Sequence, residues 1–287
     1  MAPFGTQLSR RDESSPPPFN GLLGRKTSRI RIALGRNTGT NISQSMPASP
    51  AMNSTAEQVM ADLPLHPFSP FAIELPTYVA NTLSAPVLVS IFGAGCAVIF
   101  LITYGIIQRM RPSMGSGEIA VALWFALCGC IHLFFEGYFS YNSFDMASKT
   151  DIFGQLWKEY SLSDSRYMSQ DAFIVCMETI TAVFWGPMSF FCVYFIITEH
   201  PLRHPFQLII SLGQLYGDVL YYAICTFQDV VYDIMYCRPE RFYFWAYYFL
   251  CNFFWIVIPL MLIKQSVVET AKVFAKVKES SGVKKAQ

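Results

Sequence analysis

Charge is what this sequence has least of. Only 14% of its 287 residues are Asp, Glu, Lys or Arg, against about 25% in soluble domains. The net charge of +1 implies nothing about partners, and there is no basic stripe suited to nucleic acid, so no nucleic-acid partner is expected. There is no Gly-rich phosphate loop and no nucleophile elbow. Eight cysteines make no extracellular disulfide framework. Seven of them (Cys96, Cys128, Cys130, Cys176, Cys192, Cys225, Cys251) lie in apolar runs, where cysteine acts as a small hydrophobe. Only Cys237 falls in a connection. Cys128, Cys130 and His132 are spaced by two, so a helix points them apart, and no metal site is expected.

Apolar length is what the chain has instead. Hydrophobic residues make up 53% and aromatics 16%, with 25 Phe and 15 Tyr. Five apolar runs cover 83–107, 119–140, 172–198, 205–227 and 242–263. Each has about 20 residues or more, enough to cross a hydrocarbon core of roughly 30 Å as a helix. The expected fold is an all-α integral membrane bundle of five transmembrane helices, occupying 66–270. The first and last runs carry no charge at all, and the others hold polar groups that need neighbours. Residues 1–65 are rich in Ser, Pro, Gly, Asn and Thr and contain several arginines. They read as a disordered extension, with a transit peptide as the other reading, and hold no run long enough for a signal peptide. Residues 271–287 read as a basic tail.

Five spans place the termini on opposite sides. Arg109 and Arg111 in one short connection, Arg203 in another, and the C-terminal lysines put these three segments in the cytosol. The N-terminus then faces the lumen, with sequons at Asn41 and Asn53. Lys284-Lys285-Ala286-Gln287 resembles a di-lysine retrieval signal, which implies the endoplasmic reticulum membrane. A generic basic tail beside anionic lipid is the plainer reading.

The rare ionisable residues inside the runs carry the functional argument. An ionisable side chain in the bilayer core costs at least about 2.5–3.5 kcal/mol, yet His132, Glu136 and Glu178 are there. Gln214 and Asp218 lie in the fourth run, and Asn252 and Trp255 in the fifth. At a rise of about 1.5 Å per residue, all fall in the half of the bilayer away from the cytosol. Four helices thus offer polar groups at one depth, which points to one internal site. His132 and Glu136 share a face at i and i+4, as do Glu178, Thr181 and Trp185 at i, i+3 and i+7. Tyr216 and Asp218 are further candidate supports on the fourth run.

Two carboxyls in a low-dielectric site can hold one proton between them and exchange it. An indole face nearby would stabilise a transient cation by about 2 kcal/mol or more once desolvated. The arrangement suits proton addition and removal on an apolar, lipid-soluble substrate.

At these residues the sequence resembles the emopamil-binding protein family of sterol Δ8–Δ7 isomerases, within the EXPERA superfamily. The matching stretches are His132-Leu-Phe-Phe-Glu136-Gly, Leu156-Trp-Lys-Glu-Tyr160, Asp164-Ser-Arg-Tyr167 and Cys176-Met-Glu-Thr-Ile-Thr-Ala182. They continue with Trp185-Gly-Pro187, His200-Pro-Leu-Arg203, Gly213-Gln-Leu-Tyr-Gly-Asp-Val219 and Asn252-Phe-Phe-Trp255. The resemblance implies that a sterol double bond moves from C8–C9 to C7–C8: a proton adds at C9, a cation forms at C8, and a proton leaves C7. It implies that His132, Glu136, Glu178, Thr181, Asn252 and Trp255 line the pocket. Glu136, backed by His132, is the favoured donor, and Trp255 faces the cation. No redox cofactor is implied, because isomerisation changes no oxidation state. The implied partners are a Δ8 sterol, lipophilic amines as inhibitors, membrane lipid and a second copy of the chain. Two other classes compete. One is a non-catalytic sterol- or amine-binding protein, disfavoured by the retained Glu136, Glu178 and His132. The other is a proton-coupled transporter, disfavoured by the lack of an inverted repeat.

Overall fold

The computed structural model of the chain describes residues 65–285, with side chains to residue 281. The expectations for the N-terminal extension and its two sequons lie outside the described residues. So do Ala286 and Gln287 and the side chains of Lys284 and Lys285. Every regular element among the described residues is helical.

Among the described residues, five helices are long and apolar enough to cross a membrane: α1 (Ala85–Met110), α2 (Ser116–Asn142), α4 (Ala172–Ile197), α5 (Arg203–Tyr232) and α6 (Tyr243–Ser281). A shorter helix, α3 (Ile152–Tyr160), lies between α2 and α4. Local chemistry sets the ends. Pro86 sits in the first turn of α1, where a missing N–H costs nothing. Asp151 caps α3 by accepting from the amides of Phe153 and Gly154, and Asp171 caps α4 by accepting from that of Ile174. Asp233, at φ 56°, closes α5 in the left-handed region.

The last helix differs from the expected run. It does not stop near residue 263 but continues through the basic segment to Lys285. Hydropathy marks only its membrane part. Beyond that, Ala, Glu and Lys carry the helix on with no proline to stop it, and Glu269 pairs with Lys272 at 2.7 Å.

Burial divides the spans by role. In α1 only 6% of the most apolar window is buried, against 39% in α2. α1 therefore faces lipid along most of its length, while α2, α4, α5 and α6 form the core. Many large apolar side chains on their outer faces are exposed, among them Phe134, Phe184, Leu212 and Phe254. That is the surface a bilayer covers.

The two ends of the bundle differ. At one end Arg111 pairs with Glu118 at 3.0 Å and Glu199 at 2.6 Å, and Arg203 also pairs with Glu118. These pairs tie the α1–α2 and α4–α5 connections together. At the other end the connection after α2 is not an open loop. With residues 65–84 and the turn after α5, it folds into a cap whose Phe68, Leu75, Met146, Trp157 and Cys237 pack on Phe139, Ile174, Tyr221 and Tyr248 of the spans. Gln155 holds the cap by accepting from the amides of Thr82 and Leu83. Lys158 donates to the carbonyl of Val79 at 2.6 Å. Burial lowers the pKa of the Lys158 ammonium.

Candidate active site

Three stretches of π-helix interrupt the spans: Ile131–Glu136 in α2, Thr181–Trp185 in α4 and Tyr243–Leu250 at the start of α6. Such i→i+5 segments are rare and cluster at functional sites. The first two pack against each other. Gly137 donates its amide to the carbonyl of His132 and Gly186 donates to that of Thr181, each closing an i→i+5 turn. Their close approach depends on Gly186. A Cβ there would meet the backbone nitrogen of Leu133 at 2.9 Å.

This contact brings His132 and Glu136 up to α4. His132 is 2% exposed. Its Nδ1 lies 2.9 and 2.8 Å from the two carboxyl oxygens of Glu136. Its Nε2 lies 2.9 Å from the amide nitrogen of Gln214 on α5. An amide nitrogen only donates, so Nε2 is the acceptor. Nδ1 then carries the proton and donates it to Glu136. With the Gln214 amide in this orientation, the neutral ring carries its proton on Nδ1.

Glu178 is buried one turn before the π segment of α4. Its Oε1 accepts from the Tyr167 hydroxyl at 2.7 Å, and its neighbours include Glu136 and His132. Tyr167 belongs to the cap. Burial pushes its phenol well above the usual tyrosine range, and the Glu178 carboxylate adds to the effect. The hydroxyl therefore stays protonated and remains a donor. A carboxyl backed by histidine thus stands beside a carboxyl backed by tyrosine, in a region shielded from water.

Trp255 of α6 lies beside this pair, its ring 6.4 Å from that of His132 and 5.3 Å from that of Trp124. Pro259, one turn later in α6, has no N–H to give to the Trp255 carbonyl. Asn252 donates to the carbonyl of Tyr248 at 2.8 Å and to the Tyr160 hydroxyl at 3.3 Å. Thr181 opens the π segment, its hydroxyl donating to the carbonyl of Met177 at 2.8 Å.

A family model described as EXPERA (EXPanded EBP superfamily) matches residues 152–266. A 3-beta-hydroxysteroid-Delta(8),Delta(7)-isomerase of Mus musculus is 37% identical over 207 residues, covering 71% of this chain and 88% of that protein. The protein of that name from Rattus norvegicus is 39% identical over the same shares. A relative from Oryza sativa subsp. japonica, a probable enzyme of that name, is 33% identical over 198 residues, or 69% of this chain and 88% of its own. The chain belongs to the emopamil-binding protein family.

The candidate residues do not all converge. His132, Glu136, Gln214, Glu178 and Trp255 form one cluster in this EXPERA chain. Asn252 joins it through Tyr160, which packs on Tyr167 with ring centroids 5.5 Å apart. Trp185 supports from behind: its indole fills the space where a Cβ on Gly213 would come within 2.4 Å of the ring. Asp218 is buried one turn beyond Gln214, with no hydrogen-bond partner on Oδ2. Tyr216 is 64% exposed and points outward from α5.

Tyr160, Tyr167 and Trp124 contribute without having been singled out for the site. The signal for the two tyrosines lay in the family stretches Leu156–Tyr160 and Asp164–Tyr167, both in a connection rather than a span, while Trp124 lies in the second span outside those stretches. Asp164 and Arg166 hold Tyr167 in place. They form a fully buried bidentate pair at 2.6–3.0 Å, and the guanidinium lies 5.0 Å from the Tyr221 ring. Burial opposes the Arg166 charge, but Asp164 outweighs it and holds the guanidinium protonated.

Proposed function

We propose that this chain is a sterol Δ8–Δ7 isomerase that moves a ring double bond by protonation, carbocation formation and deprotonation. One observation carries the reading: two carboxyls with different backing groups, Glu136 on His132 and Glu178 on Tyr167, meet on two packed π segments beside an indole. Relatives named for this reaction cover most of the chain.

The division of labour follows from the partners. His132 is joined to Gln214 on one side and Glu136 on the other, so it can restore a proton to Glu136 after that carboxyl has protonated C9. Tyr167 donates to Glu178 and orients that carboxyl to take the proton from C7. Trp255 faces the C8 cation, and Thr181 and Asn252 complete the wall. The overall reaction consumes one proton and returns one, so it needs neither hydride nor oxidant. A lipophilic amine imitates the cation and would inhibit.

The site lies toward the capped end of the bundle. With the Arg111 and Arg203 end in the cytosol, the cap and N-terminus would be lumenal and the extended α6 cytosolic. Lys284 and Lys285 would then be readable as a retrieval signal for the endoplasmic reticulum. The test is expression in cells lacking a sterol Δ8–Δ7 isomerase. Restored growth and Δ7 sterol are expected. Accumulation of the Δ8 sterol despite normal membrane expression would leave the non-catalytic sterol-binding reading in its place.

A further inference from the structure

Polar side chains recur at every turn along one face of α5: His204, Gln207, Ser211, Gln214, Asp218 and Tyr221. Each has an atom shielded from solvent with no hydrogen-bond partner. These are His204 Nδ1, Gln207 Oε1, Ser211 Oγ, Gln214 Oε1, Asp218 Oδ2 and Tyr221 OH. All but His204 are more than nine-tenths buried. Ser266 on the neighbouring α6 is fully buried, and its Oγ is also unpartnered. Other such atoms among the described residues, on Asn81, Trp124, Arg166 and Arg203, follow no such period. A dispersed set would be ordinary, but a seam of them along a whole membrane helix is a feature of construction.

Spacing and end groups give the seam a direction. Steps of three and four residues rise about 4.5–6 Å, the span of one water making two hydrogen bonds of roughly 2.8 Å. Buried polar groups lacking protein partners are satisfied by buried water, and polar side chains within spans mark proton relays. The seam is fastened to α6 where Gln207 donates to the carbonyl of Leu262 at 3.1 Å and to Gln265 at 2.9 Å. It meets the site where Gln214 reaches His132. Beyond Asp218 it is closed, because Tyr221 lies under the buried Arg166 guanidinium and the cap. At the other end His204 is half-buried beside the Arg203–Glu118 pair at the bundle's aqueous face.

We propose that the α5 seam holds a file of water that exchanges protons between the aqueous face at His204 and the His132–Glu136 pair. The step balances. A proton arrives at His132 Nε2 as the Nδ1 proton passes to the Glu136 carboxylate, and the reverse sequence releases one. Gln214 serves both ring states. Its NH2 donates to the bare Nε2, and half a turn of the amide presents Oε1 to a protonated one. The proposal rests on the isomerase reading. It adds that the proton taken from C7, passed from Glu178 to Glu136, is exchanged with solvent before the next sterol is protonated. Without the seam, that proton would return to C9 of a later substrate.

The experiment is turnover of a Δ8 sterol in D2O by the full-length protein in microsomes, with the product's deuterium read by mass spectrometry. Wild type is expected to place deuterium at C9. Ser211→Ala combined with Ser266→Ala removes two hydroxyls without adding volume, and Ser211→Val removes one hydroxyl and adds apolar volume on the seam. Both are expected to lose most of the label per molecule of product, whatever their expression level, because isotope content is independent of the amount of folded enzyme. Wild-type labelling in both variants, or unlabelled product from wild type, would overturn the seam. Absence of any product from wild type speaks instead against the isomerase reading, and the seam's role falls with it.

Discussion

Glu178 is the sole acidic or basic residue (Asp, Glu, His, Lys or Arg) of its span. Among the described residues its one hydrogen-bond donor is a tyrosine, with no Lys or Arg beside it. A structural ion pair therefore does not explain it. Glu178→Gln keeps the shape and can still accept from Tyr167, but it can no longer exchange a proton. The expected loss is about 10²–10⁴-fold in turnover, the usual range for one acid–base group, measured as Δ7 product from a Δ8 sterol. Near-normal turnover at matched protein would remove Glu178 from the chemistry. Trp255→Leu should weaken turnover and lipophilic-amine binding by about 0.5–2 kcal/mol each, the cation–π range. The neutral sterol should bind nearly as well, since the ring attracts only the charged state. A rise in KM alone, with amine affinity intact, would make Trp255 a packing residue. Residues such as these were legible because an ionisable group in an apolar run stands out by composition alone. Tyr167 was not, because a tyrosine in a polar connection is unexceptional until the connection folds back onto the span.

The elements explain why the site forms where it does. Hydropathy located five spans, though not the continuation of the last helix past its apolar part, and it is blind to the π segments. One extra residue in a turn changes the hydrogen-bond ladder without changing the apolar composition. It is equally blind to the cap, whose nine-residue helix α3 is too short and too polar to register as a span. Two substitutions probe the π contact. Gly186→Ala forces a methyl against the Leu133 backbone, while Gly137→Ala meets the Ala182 methyl at 3.7 Å and the His132 carbonyl oxygen at 3.8 Å, both ordinary contacts. The first should cost about 1–3 kcal/mol of stability, as overpacking does, and should lower turnover of the protein that folds. The second should do little. Thermal unfolding in detergent and specific activity would rank them, and equal behaviour would deny the close approach its role. The cap is probed at Asp164. Asp164→Ala leaves the Arg166 guanidinium buried without its counter-charge, which costs about 3–5 kcal/mol when a buried pair is broken. Loss of thermal stability should be accompanied by loss of activity, because Tyr167 follows directly on Arg166.

At the scale of the molecule, the two ends of the bundle present different chemistry, and the orientation of the chain decides what each end does. Arg109, Arg111 and Arg203 and the lysines of the extended α6 all lie toward one end, which the positive-inside rule assigns to the cytosol. In the orientation we propose, the cap would close the lumenal end over the site, and the seam along α5 would open toward the cytosol. The orientation is tested by tagging each terminus and digesting sealed microsomes with protease. The N-terminal tag should survive and the C-terminal tag should be lost, and Asn41 and Asn53 should be open to glycosylation. The opposite pattern would invert the molecule. It would put Lys284 and Lys285 beyond reach of a cytosolic retrieval receptor and turn the mouth of the seam at His204 to the lumen. The carboxyl pair and its π contact would stand unchanged, because they depend on how α2 packs against α4 and not on which way the bundle faces.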